Sequence, residues 1–153
     1  PILVAEAGRT CTERGTWGFP RYGRGGVVIN ARAETAAQRP MFRESLLRRR
    51  CAVPSAGFYE WDARKTKYLF RLPAQPCLYL AGLYDMFGGE RRYVVLTTAA
   101  NDSVRDVHER MPVLLPRDTL EAWIHNAAAA RAWLGAPMPA LTREAADGQQ
   151  ALF

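Results

Sequence analysis

The chain has 153 residues, of which 48% are hydrophobic, so it is long enough for one globular domain with a single core and too short for two ordinary ones. Its 21 Lys and Arg exceed its 15 Asp and Glu, and the resulting net charge of +6 favours a polyanionic partner. No stretch approaches the roughly 20 apolar residues of a membrane helix, and the first residues lack a signal-peptide pattern. We therefore expect a soluble cytoplasmic protein with no membrane partner.

Cysteine usage agrees with that compartment. Cys11, Cys51 and Cys77 have no metal-ligand spacing, and an odd number does not suit a disulfide framework. Cys51 has the position of a buried cysteine at the start of a strand. We expect reduced thiols, no bound metal and no organic cofactor.

Short apolar runs rich in β-branched and aromatic residues predict the strands. In chain order they are Val27–Ile29, Phe58–Trp61, Tyr68–Leu72, Leu78–Tyr84 and Tyr93–Thr98. Gly and Pro residues separate them, and Gly88-Gly89 predicts a hairpin turn before the last of these strands.

A first helix is predicted from Pro40, which suits a first helical turn. Its inward face is predicted from a period of 3.6 residues, with the arginines mostly on the solvated face. The inward residues are Met41, Phe42, Ser45 and Leu46, and the outward arginines are Arg43, Arg48, Arg49 and Arg50.

A second helix is predicted to begin near Arg117 and Asp118, with Leu120, Trp123 and Ile124 inward. It breaks near Asn126 and continues over Ala127 to Leu134. From Gly135 the tail is predicted to be extended or loop-like, with Leu152-Phe153 docked on the sheet. Together the elements predict one α+β domain over residues 1–153, with a mainly antiparallel, barrel-like sheet and a few flanking helices.

Three polar residues at strand ends or in the loops after them are candidates for chemistry. The Asn30 amide can orient a substrate or nucleophile, or it can simply cap the following turn. Glu60, between aromatic residues, can have a raised pKa and exchange protons, or it can lie on the exposed face of an ordinary strand. His108 can act as an acid or base, although a lone histidine is often structural.

Arginines and tryptophans near these candidates indicate a nucleic-acid partner. Arg32 and Arg110 are close in sequence to Asn30 and His108, and guanidinium groups suit phosphate recognition. Trp61, like Trp17, offers a flat face for base stacking or fills the core. Another pair of arginines, Arg39 and Arg43, either extends the same surface or stays in solvent.

Several separated motifs in the same order resemble the SRAP (SOS-response-associated peptidase) family. They are Trp17-Gly18, Ile29-Asn30-Ala31-Arg32-Ala33-Glu34-Thr35, Cys51-Ala52-Val53-Pro54, Gly57-Phe58-Tyr59-Glu60-Trp61 and His108-Glu109-Arg110-Met111-Pro112. The resemblance covers most of the chain, from about Trp17 to Pro116, and the ending also looks like that of the shorter bacterial members.

The resemblance implies a function in the DNA damage response. Family members act on abasic sites in single-stranded DNA, where the amine and thiol of an N-terminal cysteine react with the ring-opened aldehyde to give a thiazolidine crosslink. The family's use of this cysteine after removal of the residues before it implies a thiol autopeptidase activity. We therefore expect an abasic-site protein that acts as a monomer near the nucleoid, with single-stranded DNA as its partner.

Matched position by position, the resemblance also implies roles for single residues. Asn30 corresponds to the asparagine that hydrogen-bonds the crosslinked residue, Glu60 to the carboxylate that assists proton transfers, and His108 to the acid or base at the deoxyribose. On the DNA-binding side it implies phosphate contacts for Arg32 and Arg110, a position lining the site for Thr97, and a stacking aromatic for Trp61.

One departure from the family pattern concerns the nucleophile. Family members begin Met-Cys-Gly-Arg, whereas this sequence begins at Pro1, so its match starts inside the family pattern. We expect the segment with the reactive cysteine to belong to the complete protein, and Cys11, Cys51 and Cys77 are not assigned its role. The alternative hypothesis is a non-catalytic single-stranded DNA-binding module that has lost the nucleophile.

Overall fold

A computed structural model of the protein describes residues 1–146. Within this range the chain forms fourteen strands, three α-helices and one 3₁₀ helix over Arg117–Thr119. The first seven strands are β1 (Ile2–Glu6), β2 (Arg9–Glu13), β3 (Thr16–Trp17), β4 (Phe19–Pro20), β5 (Val27–Val28), β6 (Asn30–Arg32) and β7 (Arg50–Ser55). The others are β8 (Phe58–Trp61), β9 (Lys67–Arg71), β10 (Leu78–Phe87), β11 (Glu90–Ala99), β12 (Arg110–Pro112), β13 (Leu114–Leu115) and β14 (Thr142–Ala145). The helices are α1 (Arg43–Arg48), α2 (Leu120–His125) and α3 (Ala127–Trp133).

A curled, half-barrel sheet of nine strands forms the centre of the domain. Its main path runs β12-β11-β10-β7-β1-β2, with β13 on β10 and with β3 and β6 on β11. The pairs along the main path are antiparallel, whereas β3 and β6 pair with β11 in parallel. A smaller sheet, β14-β9-β8, and the pair β4-β5 complete the strands. The predicted α+β class with a mainly antiparallel, barrel-like sheet is confirmed.

Alternation along β11 gives the large sheet two different apolar faces. Val94 and Leu96 belong to a core that also contains Trp123 and Ile124 of α2. Val95, between them in sequence, belongs to a second core with Phe70 of the smaller sheet. The sheet is therefore covered by helices on one face and by β8-β9-β14 on the other.

A close backbone approach holds the smaller sheet where it is. A Cβ atom at Gly57 would collide with the carbonyl oxygen of Phe70, so only glycine fits between β7 and β8 at this point. The Ser55 hydroxyl donates a hydrogen bond of 2.6 Å to the Gly57 carbonyl across the same turn. This turn sets the direction of β8, the strand that carries Glu60.

The predicted strands and hairpin are confirmed, with small changes in their ends. β8 has the predicted bounds, and Gly88-Gly89 joins β10 to β11 with positive φ angles of 56° and 80°. The predicted strand Val27–Ile29 is interrupted at Ile29 because β5 pairs with β4 whereas β6 pairs with β11. The helix break near Asn126 is also confirmed. The Asn126 side chain accepts a 2.9 Å hydrogen bond from the Ala129 amide at the start of α3.

The arginine run was placed wrongly only at its end, since Arg43 and Arg48 are exposed as predicted. Arg50 lies in β7, not on a solvated helix face, and is only 5% exposed. Arg49 is also partly covered, since it pairs with Asp85 at 3.3 Å. Met41, expected to face inward, is exposed because α1 begins only at Arg43. The predicted extended tail is confirmed by β14. The predicted docking of Leu152 and Phe153 on the sheet concerns residues outside the described range.

Candidate functional site

A cavity of about 490 Å³ opens where β6, β8 and β12 meet the face of the large sheet. Its apolar lining includes Leu80 of β10, Val95 of β11 and Phe58 of β8. All seven residues predicted as site residues line it. They are Asn30, Arg32, Glu60, Trp61, Thr97, His108 and Arg110. The fold thus brings together side chains that are up to 80 positions apart in the chain.

The parallel pairing of β6 with β11 places two of these residues side by side. Asn30 lies opposite Val95 and Arg32 opposite Thr97. Ala31, between Asn30 and Arg32, is 2% exposed and packs into the core, so alternation directs its two exposed neighbours to the other side. An amide and a guanidinium group therefore border the cavity from one strand.

Glu60 and His108 form an acid–base pair within the cavity. The Glu60 Oε1 and His108 Nδ1 atoms are 3.9 Å apart. Partial burial raises the pKa of the Glu60 carboxyl, while the nearby His108 and a hydrogen bond from the Trp61 backbone oppose the rise. His108 Nδ1 is also 3.2 Å from both the amide nitrogen and the carbonyl oxygen of Arg110. A carboxyl and an imidazole group therefore lie side by side in the cavity, an arrangement that general acid–base catalysis uses.

Arg110 connects three segments around the cavity. Its Nη2 donates to the Thr97 carbonyl at 2.8 Å and lies 3.1 Å from the Thr97 hydroxyl. The same nitrogen is 2.9 Å from Glu34 Oε2, in the segment after β6. The Arg110 Nε atom is buried and has no hydrogen-bond partner among the described residues. The guanidinium group is thus firmly held, but not all of its donors are used.

Exposed aromatic side chains line the mouth of the cavity. Trp17 and Trp61 are each 50% exposed, so neither fills the core. The Trp17 indole donates a 3.0 Å hydrogen bond to the Ile29 carbonyl and stacks against Tyr93, with ring centroids 6.5 Å apart. These contacts fix one flat ring while leaving a face accessible.

Two residues beside Trp61 were not predicted as site residues. Tyr59 is 48% exposed and lines the cavity, and Lys67 Nζ lies 4.1 Å from the Tyr59 ring centroid and 5.5 Å from that of Trp61. Period-two alternation in β8 places Tyr59 and Trp61 on one face, a signal available from the sequence. Lys67 comes from the neighbouring β9 and becomes visible only with the pairing Trp61↔Lys67.

Residues 1–147 match the family described as SOS response associated peptidase (SRAP). The chain belongs to the SRAP family. It is 37% identical over 107 residues to the abasic site processing protein YoaM of Bacillus subtilis, covering 64% of this chain and 47% of YoaM. It is 26% identical over 119 residues to the abasic site processing protein YedK of Escherichia coli, covering 72% of this chain and 53% of YedK. The chain spans about half the length of these curated relatives.

Solved structures resemble this SRAP chain over nearly its whole length. A protein from Bacteroides thetaiotaomicron matches with a TM-score of 0.80 and 25% identity, covering 98% of this chain and 75% of that one. A protein from Bordetella bronchiseptica matches with a TM-score of 0.77 and 29% identity, covering 94% and 81%.

A second cavity of about 660 Å³ adjoins the first in this SRAP domain, and the two share Asn30 and Arg32. Its lining adds Arg21, Arg24 and Arg39. A row of arginines therefore continues from the first cavity. Arg43 instead lines a separate depression beside Glu44.

None of the three cysteines of this SRAP domain is a residue of the candidate site. All three are within the described residues. Cys51 is fully buried, and burial raises the pKa of its thiol. Cys77 is partly buried and donates to the Leu78 carbonyl at 3.4 Å, and Cys11 lies in β2 opposite Val4. None of the three lines the cavity.

No group of three or more His, Cys, Asp or Glu within residues 1–146 is arranged to hold a metal ion. None of the helices in the same range is long and apolar enough to cross a membrane.

Proposed function

We propose that this SRAP chain processes abasic sites in single-stranded DNA as part of the DNA damage response. The observation that carries the proposal is the single cavity that gathers an acid–base pair, an amide and two arginines beside exposed aromatic rings. Such a combination suits a sugar with a free aldehyde, flanked by phosphates and by bases that need a stacking partner. The names of the relatives YoaM and YedK, which describe abasic site processing, support the same substrate.

The covalent step that we propose uses a cysteine at the N-terminus of the complete protein. Its amine attacks the ring-opened C1 aldehyde and an imine forms with loss of water. Its thiol then adds to the imine carbon, and the thiol proton passes to the nitrogen, which closes a thiazolidine ring. Exposure of that cysteine requires removal of the residues before it, and this is the proposed autopeptidase activity. The positions of Cys11, Cys51 and Cys77 outside the cavity support an additional cysteine as the nucleophile.

Glu60, His108 and Asn30 each have a role in this proposal that suits their surroundings. Because its pKa is raised, Glu60 is more often protonated near neutrality than an ordinary carboxyl and can protonate the departing hydroxyl as the imine forms. His108, 3.9 Å away, can move a proton at the deoxyribose oxygen. Asn30 can donate to and accept from the nucleophile, which fixes its direction of attack.

Binding of the strand falls to the basic and aromatic residues. Arg32 and Arg110 contact phosphates, Thr97 completes the wall between them, and the half-exposed Trp61 stacks against a base. Arg39 and its neighbours in the second cavity extend the contact along the strand. This arrangement accepts unpaired DNA because stacking on Trp61 takes the place of a neighbouring base pair.

Crosslinking by the full-length protein tests the proposal. Single-stranded DNA with one abasic site is incubated with wild type, Glu60→Gln, His108→Ala and the control Glu121→Gln, and crosslinks are resolved on denaturing gels. We expect Glu60→Gln and His108→Ala to slow formation or reversal by about 10²-fold, a usual size for general acid–base catalysis, with little change in affinity for intact strands. DNA with a tetrahydrofuran residue, which has no aldehyde, should bind without crosslinking. Wild-type rates in both variants would contradict the roles of Glu60 and His108.

A further inference from the structure

We propose that Glu34 is a displaceable counter-ion of Arg110 that limits the affinity of the domain for DNA phosphates. The inference rests on the proposed function, since it concerns how the same cavity binds single-stranded DNA. Glu34 occupies the guanidinium group that a phosphate needs, so strand binding at this arginine must exchange one anion for another.

The geometry of the pair points to exchange. Arg110 Nη2 is 2.9 Å and 3.3 Å from the two Glu34 carboxylate oxygens, so Glu34 is bound through one guanidinium nitrogen. Arg110 Nε remains buried without a partner among residues 1–146. Strong oxyanion recognition by arginine uses two nitrogens in parallel. An oxyanion that reached both Nε and Nη2 would therefore be a better ligand than Glu34.

The exposure of the two side chains shows which of them can move. The Arg110 side chain is 16% exposed and is also held by the carbonyl and hydroxyl of Thr97. The Glu34 side chain is 49% exposed. On leaving, the Glu34 carboxylate recovers its hydration, whereas Arg110 stays in place through Thr97. A phosphate can thus replace Glu34 without rebuilding the wall of the cavity.

Arg32, the other arginine predicted to contact phosphates, differs from Arg110 in its ion pairing. It is exposed in the same cavity, and no carboxylate within the described part of the chain lies within 4 Å of its guanidinium group. Its charge is available to any strand that approaches, whereas the charge of Arg110 is balanced until Glu34 leaves. The two arginines of the site therefore differ in function: Arg32 attracts the strand and Arg110 binds only a phosphate that competes with Glu34.

Glu34→Gln, measured against Glu44→Gln, tests this inference. Glu44 pairs with Arg48 at 3.3 Å on the exposed side of α1, so the control makes the same charge change beside another arginine. Affinity for an intact single strand is measured by fluorescence anisotropy at several salt concentrations. We expect Glu34→Gln to bind about threefold more tightly at low salt than Glu44→Gln, as for removal of one exposed ion pair. Because Arg110 neutralises a phosphate in both proteins once Glu34 has left, the logarithmic dependence of affinity on salt should change by less than about 0.7, the value for one phosphate contact.

A double-mutant cycle with Arg110→Met assigns the gain to the pair. If Glu34 acts through Arg110, Glu34→Gln should give no gain in the Arg110→Met background. A gain shared equally with Glu44→Gln, a gain that persists without Arg110, or a loss of affinity in folded Glu34→Gln would each overturn the inference. Should Arg110→Met fail to fold, Glu34→Asp replaces it: a gain like that of Glu34→Gln, despite the retained charge, would overturn the inference. Absence of DNA binding by wild type would instead refute the proposed function, and this inference with it.

Discussion

Replacement of Arg50 by methionine should be among the most destabilising single changes in the domain, although Arg50 is outside the functional site. Its guanidinium group lies between the ends of two helices. Nε donates to the Trp123 carbonyl at 2.6 Å and Nη2 to the Ile124 carbonyl at 3.2 Å. Nη1 donates to the carbonyls of Leu46 and Leu47 at 2.9 Å and 2.7 Å.

These four carbonyls belong to the last turns of α1 and α2, where backbone oxygens have no partner within the helix. The negative ends of both helix dipoles face the cation, which explains how a charge can be buried here without a carboxylate. Burial lowers the pKa of Arg50, which means that burial alone disfavours the cation. The four carbonyls provide the favourable interactions that offset this cost. Leaving buried carbonyls unpaired costs about 1–3 kcal/mol each. Some of these carbonyls regain water in the variant, and methionine refills part of the space. We therefore expect the free energy of unfolding to fall by about 3–5 kcal/mol in total.

Urea unfolding followed by circular dichroism measures this loss. A domain with a total stability of about 5–15 kcal/mol would lose a large share of it, and the urea midpoint should fall accordingly. Arg50→Lys should be intermediate because lysine keeps the charge but cannot reach four carbonyls from one planar group. Arg48→Met, which removes an exposed arginine of α1, should change stability by less than about 0.5 kcal/mol. A loss below about 1 kcal/mol for Arg50→Met would refute the reasoning.

Three further predictions concern the site and the thiols. Since burial raises the pKa of Glu60 above its ordinary 4.5, its contribution to stability is present below that pH and is lost as pH rises through the folded-state pKa. Glu60→Gln should therefore flatten this part of a plot of stability against pH, and an unchanged plot would contradict the raised pKa. Trp61→Ala should weaken binding to single strands by about 1–3 kcal/mol in titrations, whereas equal affinity would exclude stacking. In the folded protein, a thiol reagent should label Cys11 and Cys77 and spare the buried Cys51, and fast labelling of all three would refute that burial.

Local patterns in the sequence predicted the strands and helices that depend on near neighbours. β8 was predicted from a short run rich in aromatic residues, and the Gly88-Gly89 hairpin was predicted from its two consecutive glycines. The β1-β2 hairpin was missed, although Ala7 and Gly8 form its turn with φ angles of 50° and 78°. Alanine rarely adopts this conformation, so the residue type gave no turn signal.

The burial of Arg50 could not be predicted from its neighbours. An arginine at the end of a run of arginines is usually solvated, and only the packing of α2 against β7 supplies the carbonyls that make burial possible. The same limit applies to Lys67 and to the ion pair between Glu34 and Arg110, because both depend on contacts between distant segments.

The seven predicted site residues lie together in one cavity, and they were selected from the sequence because the order of its motifs resembles the SRAP family. Residue type alone left Asn30, Glu60, His108 and Trp61 each with a structural alternative. For Trp61, half exposure decides against the core. For Glu60, the 3.9 Å distance to His108 gives the carboxylate a partner that an ordinary exposed strand face does not provide.

The mass of the full-length native protein, measured before and after incubation with single-stranded DNA containing one abasic site, tests the central claim most directly. We predict a mass increase equal to the DNA strand less one water, located by peptide mapping at an N-terminal cysteine and absent with a tetrahydrofuran strand. An unchanged mass, with the strand bound but recovered intact, would contradict the crosslinking account and leave a protein that only binds single-stranded DNA.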